Sequence, residues 1–132
     1  MRPRDGSERL TRLAGRFTAY VEAGIPRLKR MGYNPSEFLA MIHRHGGAVG
    51  ATKQLLADPR HTSYGFQRLH QLGRLEDSVE FAALLPWFEE LFTDIERYEA
   101  RTRLITHEFP LEAKLHAAAA APPAWTADLD LE

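Results

Sequence analysis

The residues in this chain best suited to bind a metal or move a proton are its six histidines, at positions His43, His45, His61, His70, His107 and His116. Two ligands on one helix share a face only when they stand three or four residues apart, and His43 and His45 are two apart. The zinc-protease pattern His-Glu-x-x-His does not occur. Surface histidines account for the set, and the sequence asks for no metal and no other cofactor.

The nucleophile candidates are Ser7, Ser36, Ser63 and Ser78, and none lies in a Gly-x-Ser-x-Gly elbow. Three of them fall where helix caps or first turns are wanted. Cysteine is absent, which removes disulfides, thiolate nucleophiles and cysteine-ligated zinc together. The carboxylate pairs Glu89-Glu90 and Glu96/Glu99 have a composition suited to acid/base work. Glu99 and Arg103, however, have the i,i+4 spacing of a helical ion pair, and this predicts a solvated face. Gly46-Gly47 is followed by no Gly-Lys-Ser or Gly-Lys-Thr, so it reads as a helix-ending turn and not a phosphate cradle.

The elements that must carry these residues read as helices. Leu10, Leu13, Phe17, Tyr20, Val21, Ile25, Leu28 and Met31 recur every three or four residues, a helical stripe that Pro26 must kink or break near Gly24. Asn34-Pro35-Ser36-Glu37, Asp77-Ser78-Val79-Glu80 and Thr93-Asp94-Ile95-Glu96 carry capping-box spacing. They predict helices beginning near residues 35, 78 and 94. A helix from Pro35 to His45 is followed by one from Ala48 to Ala57, which Asp58-Pro59 ends. Ser63 is placed to cap a short helix through Phe66, Leu69 and Leu72. The helix launched at Thr93 runs towards Phe109 with Ile95, Tyr98, Thr102 and Ile105 on its expected inner stripe. Pro110 restarts a helix through the alanines 117–121, and Pro122-Pro123 ends it.

The expected fold is therefore all-α, a single-domain irregular or orthogonal bundle of about six short helices. Residues 1–109 form the helical domain, and 110–132 form a C-terminal helical extension with an acidic, aromatic tail. The predicted core includes Leu13, Phe17, Phe38, Ile42, Phe66, Phe88, Phe92, Ile95 and Ile105. With 132 residues, 44% of them hydrophobic and 27% charged, one self-sufficient core is the natural reading. No apolar run reaches the roughly 18 residues of a membrane helix, and Arg2 and Arg4 precede no signal-like segment. No membrane association is expected, and the expected location is the cytoplasm.

From Gly32 to Leu104 the chain resembles a family of small uncharacterised bacterial helical proteins. The likeness is carried by Gly32-Tyr33-Asn34 with Phe38-Leu39, His45-Gly46-Gly47, Leu55-Leu56, Gly65-Phe66 with Leu69, Gly73-Arg74-Leu75, Ser78-Val79-Glu80, Phe88, Leu91-Phe92-Thr93 and Ala100-Arg101. The resemblance implies an all-helical fold and a bacterial accessory or defence setting, with no assigned activity. Pro26 departs from the family's continuous first helix, and Glu76-Asp77 stands where an aspartate and an aliphatic residue are usual.

Charge is polarised along the chain. Residues 1–30 carry a net +5, 31–75 a net +3, 76–112 a net −7 and 113–132 a net −2. Either the chain presents a basic and an acidic face, or its two halves attract each other across the domain. Two functions follow. The first is a non-catalytic protein-interaction or adaptor module, docking a partner protein through Arg12 and Arg16 or through a tail that holds Trp125, Leu129 and Leu131. Folding of Trp125 back onto the domain is the competing fate of that tail. The alternative is a nucleic-acid binder, in which the hairpin 35–57 acts as a helix-turn-helix with Lys53, Gln54, Arg60, Arg68 and Arg74 as contacts.

Overall fold

A computed structural model describes residues 6–58 and 64–129. It is an all-α bundle: among the described residues helices and turns account for the regular structure, and no strand occurs. The helices are α1 (Gly6–Ala23), α2 (Ile25–Arg30), α3 (Ser36–His45), α4 (Ala48–Ala57), α5 (Tyr64–Gln71), α6 (Val79–Leu84), α7 (Asp94–Thr106), α8 (Leu111–Ala119) and α9 (Thr126–Leu129). Two 3-10 turns, Leu75–Asp77 and Pro86–Leu91, flank α6. Several elements are shorter than the average helix.

The breaks sit where the backbone demands them. Pro26 lacks an amide hydrogen, and the chain separates α1 from α2 at Gly24. Gly46 adopts φ 71°, the left-handed conformation that lets α3 stop and α4 start within two residues. The Ala48 N–H at the start of α4 donates to Thr18 Oγ1 at 2.9 Å, which ties α4 to α1. At Thr93 the expected capping box forms in full: the Glu96 N–H donates to Thr93 Oγ1, and the Thr93 N–H donates to Glu96 Oε1. The other two expected boxes do not form. Asn34 Oδ1 accepts from the Ser36 N–H at 3.2 Å as a local turn, and Ser78, not Asp77, caps α6 by accepting from the Phe81 N–H. Ser63 lies outside the described residues.

The core is organised around Phe17. Its ring meets Phe88 edge-on at 5.0 Å and Phe92 at 5.2 Å, a geometry that adds about 0.5–1.5 kcal/mol per pair beyond burial. Leu13, Leu85 and Leu104 are fully buried in the same core cluster. The C-terminal extension packs onto this core and does not stand apart: Leu111 is buried, and Trp125 lies 5.8 Å from Phe88.

One face is reversed relative to expectation. Ile95, Tyr98 and Ile105 are 82%, 71% and 53% exposed, whereas Ala100, Arg103 and Leu104 form the buried stripe of α7. A count of apolar residues alone selects the wrong side, because the inward face is built around an arginine whose charge is met inside the protein.

The polarised charge is resolved by ion pairs between the two halves. Arg9 meets Glu90, Arg27 meets Asp77 at 2.6 Å, and Lys53 meets Glu96 at 2.6 Å. The basic half and the acidic half are therefore stitched together at these points.

Candidate functional site

A cleft of about 730 Å³ opens beneath the α1–α2 break, within the range of roughly 300–1,000 Å³ typical of small-molecule sites. One wall comes from the two arms of the break, with Tyr20 and Val21 on α1 and Arg27 and Leu28 on α2. The facing wall comes from Phe38 and Met41 on α3 and from Phe66 and Leu69 on α5. Leu55 of α4 and Val79 and Glu80 of α6 also line it. Its surface is more hydrocarbon and aromatic than polar.

The Asp77 carboxylate on the lining is shared. Arg27 Nη2 donates to Oδ1 at 2.6 Å, and Arg74 Nε donates to Oδ2 at 2.9 Å, so a strap of charge joins α2 to the turn before α6. Burial, and then the negative charge of Asp77, push the Tyr20 hydroxyl above its ordinary titration range, so it stays a neutral hydroxyl.

The inner polar group is Glu80, which is 1% exposed. Arg103, itself 6% exposed, donates from Nη1 to Glu80 Oε2 at 3.3 Å and from Nε to Glu99 Oε2 at 2.7 Å. Its Nη2 donates to the carbonyls of Leu55 at 3.0 Å and Asp58 at 2.9 Å, the orphan acceptors at the end of α4. One guanidinium thus closes α4, holds α7 to α6 and faces two carboxylates. Burial pushes the Glu80 carboxyl above the usual carboxylate range, and the hydrogen bond from its own backbone N–H and the charge of Arg103 offset only part of that. The Glu99–Arg103 pair expected from i,i+4 spacing is present, but not on a solvated face: the arginine is interior.

A close approach shapes the wall near α5. A Cβ added to Gly65 would stand 2.4 Å from the Tyr33 hydroxyl oxygen, so only glycine lets Tyr33 lie against this helix. These residues belong to two of the short motifs picked out in the sequence, Gly32-Tyr33-Asn34 and Gly65-Phe66.

The described residues expected to contact nucleic acid lie on α4, on α5 and in the turn that follows α5. Lys53 is paired with Glu96 and lies 5.3 Å over the Phe92 ring. Gln54 is exposed on α4. Arg68 Nη1 donates to Gln71 Oε1 at 3.3 Å, and its other terminal nitrogen approaches Gly32. Arg74 is engaged by Asp77 and Glu76. Arg60 lies outside the described residues. The hairpin of α3 and α4 exists, but α4 packs against α1, α3, α6 and α7, so it sits in the middle of the bundle.

Among the residues expected to dock a partner, two meet each other. The Arg16 guanidinium stands over the Trp125 ring at 5.3 Å, so this part of the tail folds back onto α1. Arg12 is exposed on α1. Leu131 and the side chain of Leu129 lie outside the described residues.

Comparison with family models, curated proteins and solved structures gives no match. The site is therefore read from its own geometry. Sequence reasoning missed Tyr20, Tyr33, Glu80 and Arg103 as one neighbourhood. The signal that could have found it was the helix break at Pro26, since a bent helix pair leaves a wall on each side of the bend. A second signal was Glu80, which was assigned to a capping box that the chain does not form.

Proposed function

We propose that this chain is a non-catalytic accessory module of a bacterial cytosolic system that works by binding, and that its working site is the cleft beneath the α1–α2 break. The observation that carries this reading is the cleft itself: a mostly apolar volume large enough for a small ligand, with three of its polar side chains already committed to structural partners. Ser78 Oγ caps α6, Asp77 is held by two arginines, and Glu80 is held by Arg103. Such groups orient and select a ligand better than they exchange protons with one. The absence of cysteine fits a reducing compartment, and no helix among the described residues is long and apolar enough to cross a membrane.

Calorimetric titration with 1-decanol tests the reading. A ten-carbon chain entering the cleft, less the cost of association, gives an expected Kd of about 10 to 100 μM. Met41→Trp fills the cleft from α3 and should weaken binding by about tenfold or more while the melting temperature is retained. No binding by the wild-type chain, or equal binding by a folded Met41→Trp variant, removes the proposal.

The adaptor reading draws on a different observation. Ile95, Tyr98 and Ile105 form an exposed apolar stripe on α7, a surface suited to a protein partner. If it serves one, Ile95→Glu with Tyr98→Glu abolishes association with that partner and leaves decanol binding unchanged. The helix-turn-helix reading has less support, because Lys53 is paired and α4 is central. A low-salt gel shift that responds to Lys53→Glu and Arg68→Glu would restore it.

A further inference from the structure

His70 and His107 stand far apart in sequence, and the fold brings their imidazoles together: the ring centres lie 5.0 Å apart with the planes at 77°. We infer that this pair is a two-histidine site for a divalent metal ion of the zinc or nickel class, an inference that does not depend on the cleft.

His107 is the C-cap of α7, and its Nδ1 lies 2.8 Å from the Arg103 carbonyl oxygen. A carbonyl only accepts, so Nδ1 carries the hydrogen and the lone pair of the neutral ring is on Nε2. Metal-ligating histidines are held in this way, with the other ring nitrogen donating to a backbone carbonyl or a carboxylate, which fixes tautomer and orientation before the ion arrives. The Phe66 ring packs against the same imidazole at 4.9 Å and restrains it further.

His70 lies in the last turn of α5 and is exposed. Its ring turns about χ2 at little cost, so either nitrogen can be brought to face His107 Nε2. The spacing suits a shared ion. With metal–nitrogen bonds of about 2.0–2.1 Å and each ring centre about 1.1 Å behind its nitrogen, two imidazoles at a tetrahedral angle have centres about 5.2 Å apart. The observed 5.0 Å leaves both helices where they are.

Among the described residues no third histidine or carboxylate completes a three-ligand set, so water fills the remaining positions and the ion is exchangeable. Imidazole selects zinc, nickel and copper over magnesium and calcium. A bound ion would tie α5, one wall of the cleft, to the end of α7.

Calorimetric titration with nickel chloride and with zinc chloride tests the site on the wild-type chain, on His70→Gln and His107→Gln, and on His43→Gln, a change at an exposed histidine of α3. One ion per wild-type chain is expected, and magnesium chloride should not bind. Loss of either partner turns a chelate into a single bond, so His70→Gln and His107→Gln should each weaken binding by about tenfold or more, with His43→Gln within about twofold of the wild type. Zinc should raise the melting temperature of the wild type and not that of His70→Gln. His70 is exposed, so its variant decides the matter should His107→Gln fail to fold. No saturable binding by the wild type overturns the inference. So does binding that keeps its strength in His70→Gln, or that falls equally in His43→Gln, since either places the ion on scattered surface histidines.

Discussion

Arg103 Nη1 lies 3.3 Å from Glu80 Oε2, joining the last turn of α7 to the first turn of α6 in a place that water does not reach. The same guanidinium holds Glu99 and the last carbonyls of α4. Three helices therefore depend on one buried cation.

Removal of that cation should be costly. Arg103→Leu leaves Glu80 without its counter-charge and the α4 carbonyls without a donor, and the expected loss is about 3–5 kcal/mol in urea denaturation. The double variant Arg103→Leu with Glu80→Leu should recover much of it, because apolar replacement of a buried pair is often neutral. Equal losses in the single and double variants would contradict this account of the cluster.

Stability should respond to pH with opposite signs at two carboxylates. The native Glu80 carboxyl is raised by burial, so the folded chain holds that proton more tightly than the unfolded one. Its contribution is fully present below the unfolded value of about 4.3 and is lost as pH rises through the higher native value. For Glu96, burial acts upward, but the bonds from Lys53 and Thr93 outweigh it and lower the native value. Its contribution is present above about pH 4.3 and is lost as pH falls through the native value. Urea midpoints recorded against pH should therefore show Glu80→Gln flattening the decline on the alkaline side and leaving the acid limb in place.

The two faces of α7 should differ sharply under mutation. Ile95→Ser and Tyr98→Ser change residues that are already in water, and stability should move by no more than about 0.5 kcal/mol. Leu104→Ala empties a fully buried site and should cost about 2–5 kcal/mol. Thermal melts of the three variants read the difference directly.

Most of the fold was legible and most of the site was not, and α7 shows why. Its start was written plainly, since Thr93 and Glu96 form the reciprocal cap that their spacing predicts. Its inner face was hidden, because an arginine buried against Glu80 and Glu99 carries no hydrophobic signal, whereas Ile95 and Ile105 carry one and lie outside. The breaks at Gly24, Gly46 and Asp58 follow from local backbone chemistry and could be read from neighbours in sequence. The cleft depends on Tyr20, Phe38, Phe66 and Glu80 meeting across long separations, and no local rule brings them together.

Tyr33 and Gly65 offer a narrower check on the wall of the cleft. In Gly65→Ala the new methyl would fall 2.4 Å from the Tyr33 hydroxyl oxygen, so the ring must shift. The expected cost is about 1–3 kcal/mol of stability with weaker ligand binding. Tyr33→Phe in the same background removes the clashing oxygen and should restore part of both.

Trp125 and Arg16 test whether the tail is part of the domain. Trp125→Ala uncovers Phe88 and removes the cation–ring contact, for an expected loss of about 1–3 kcal/mol. An unchanged melting temperature would mean that the tail contributes nothing to the folded state.

The binding account is tested most directly by recording methyl and amide resonances during titration with 1-decanol. The account predicts progressive shifts at Met41, Leu28, Leu69 and Val79, which line the cleft, with Ile95 and Ile105 on α7 unmoved. No shifts at saturating ligand, or shifts confined to Ile95 and Ile105, would contradict it.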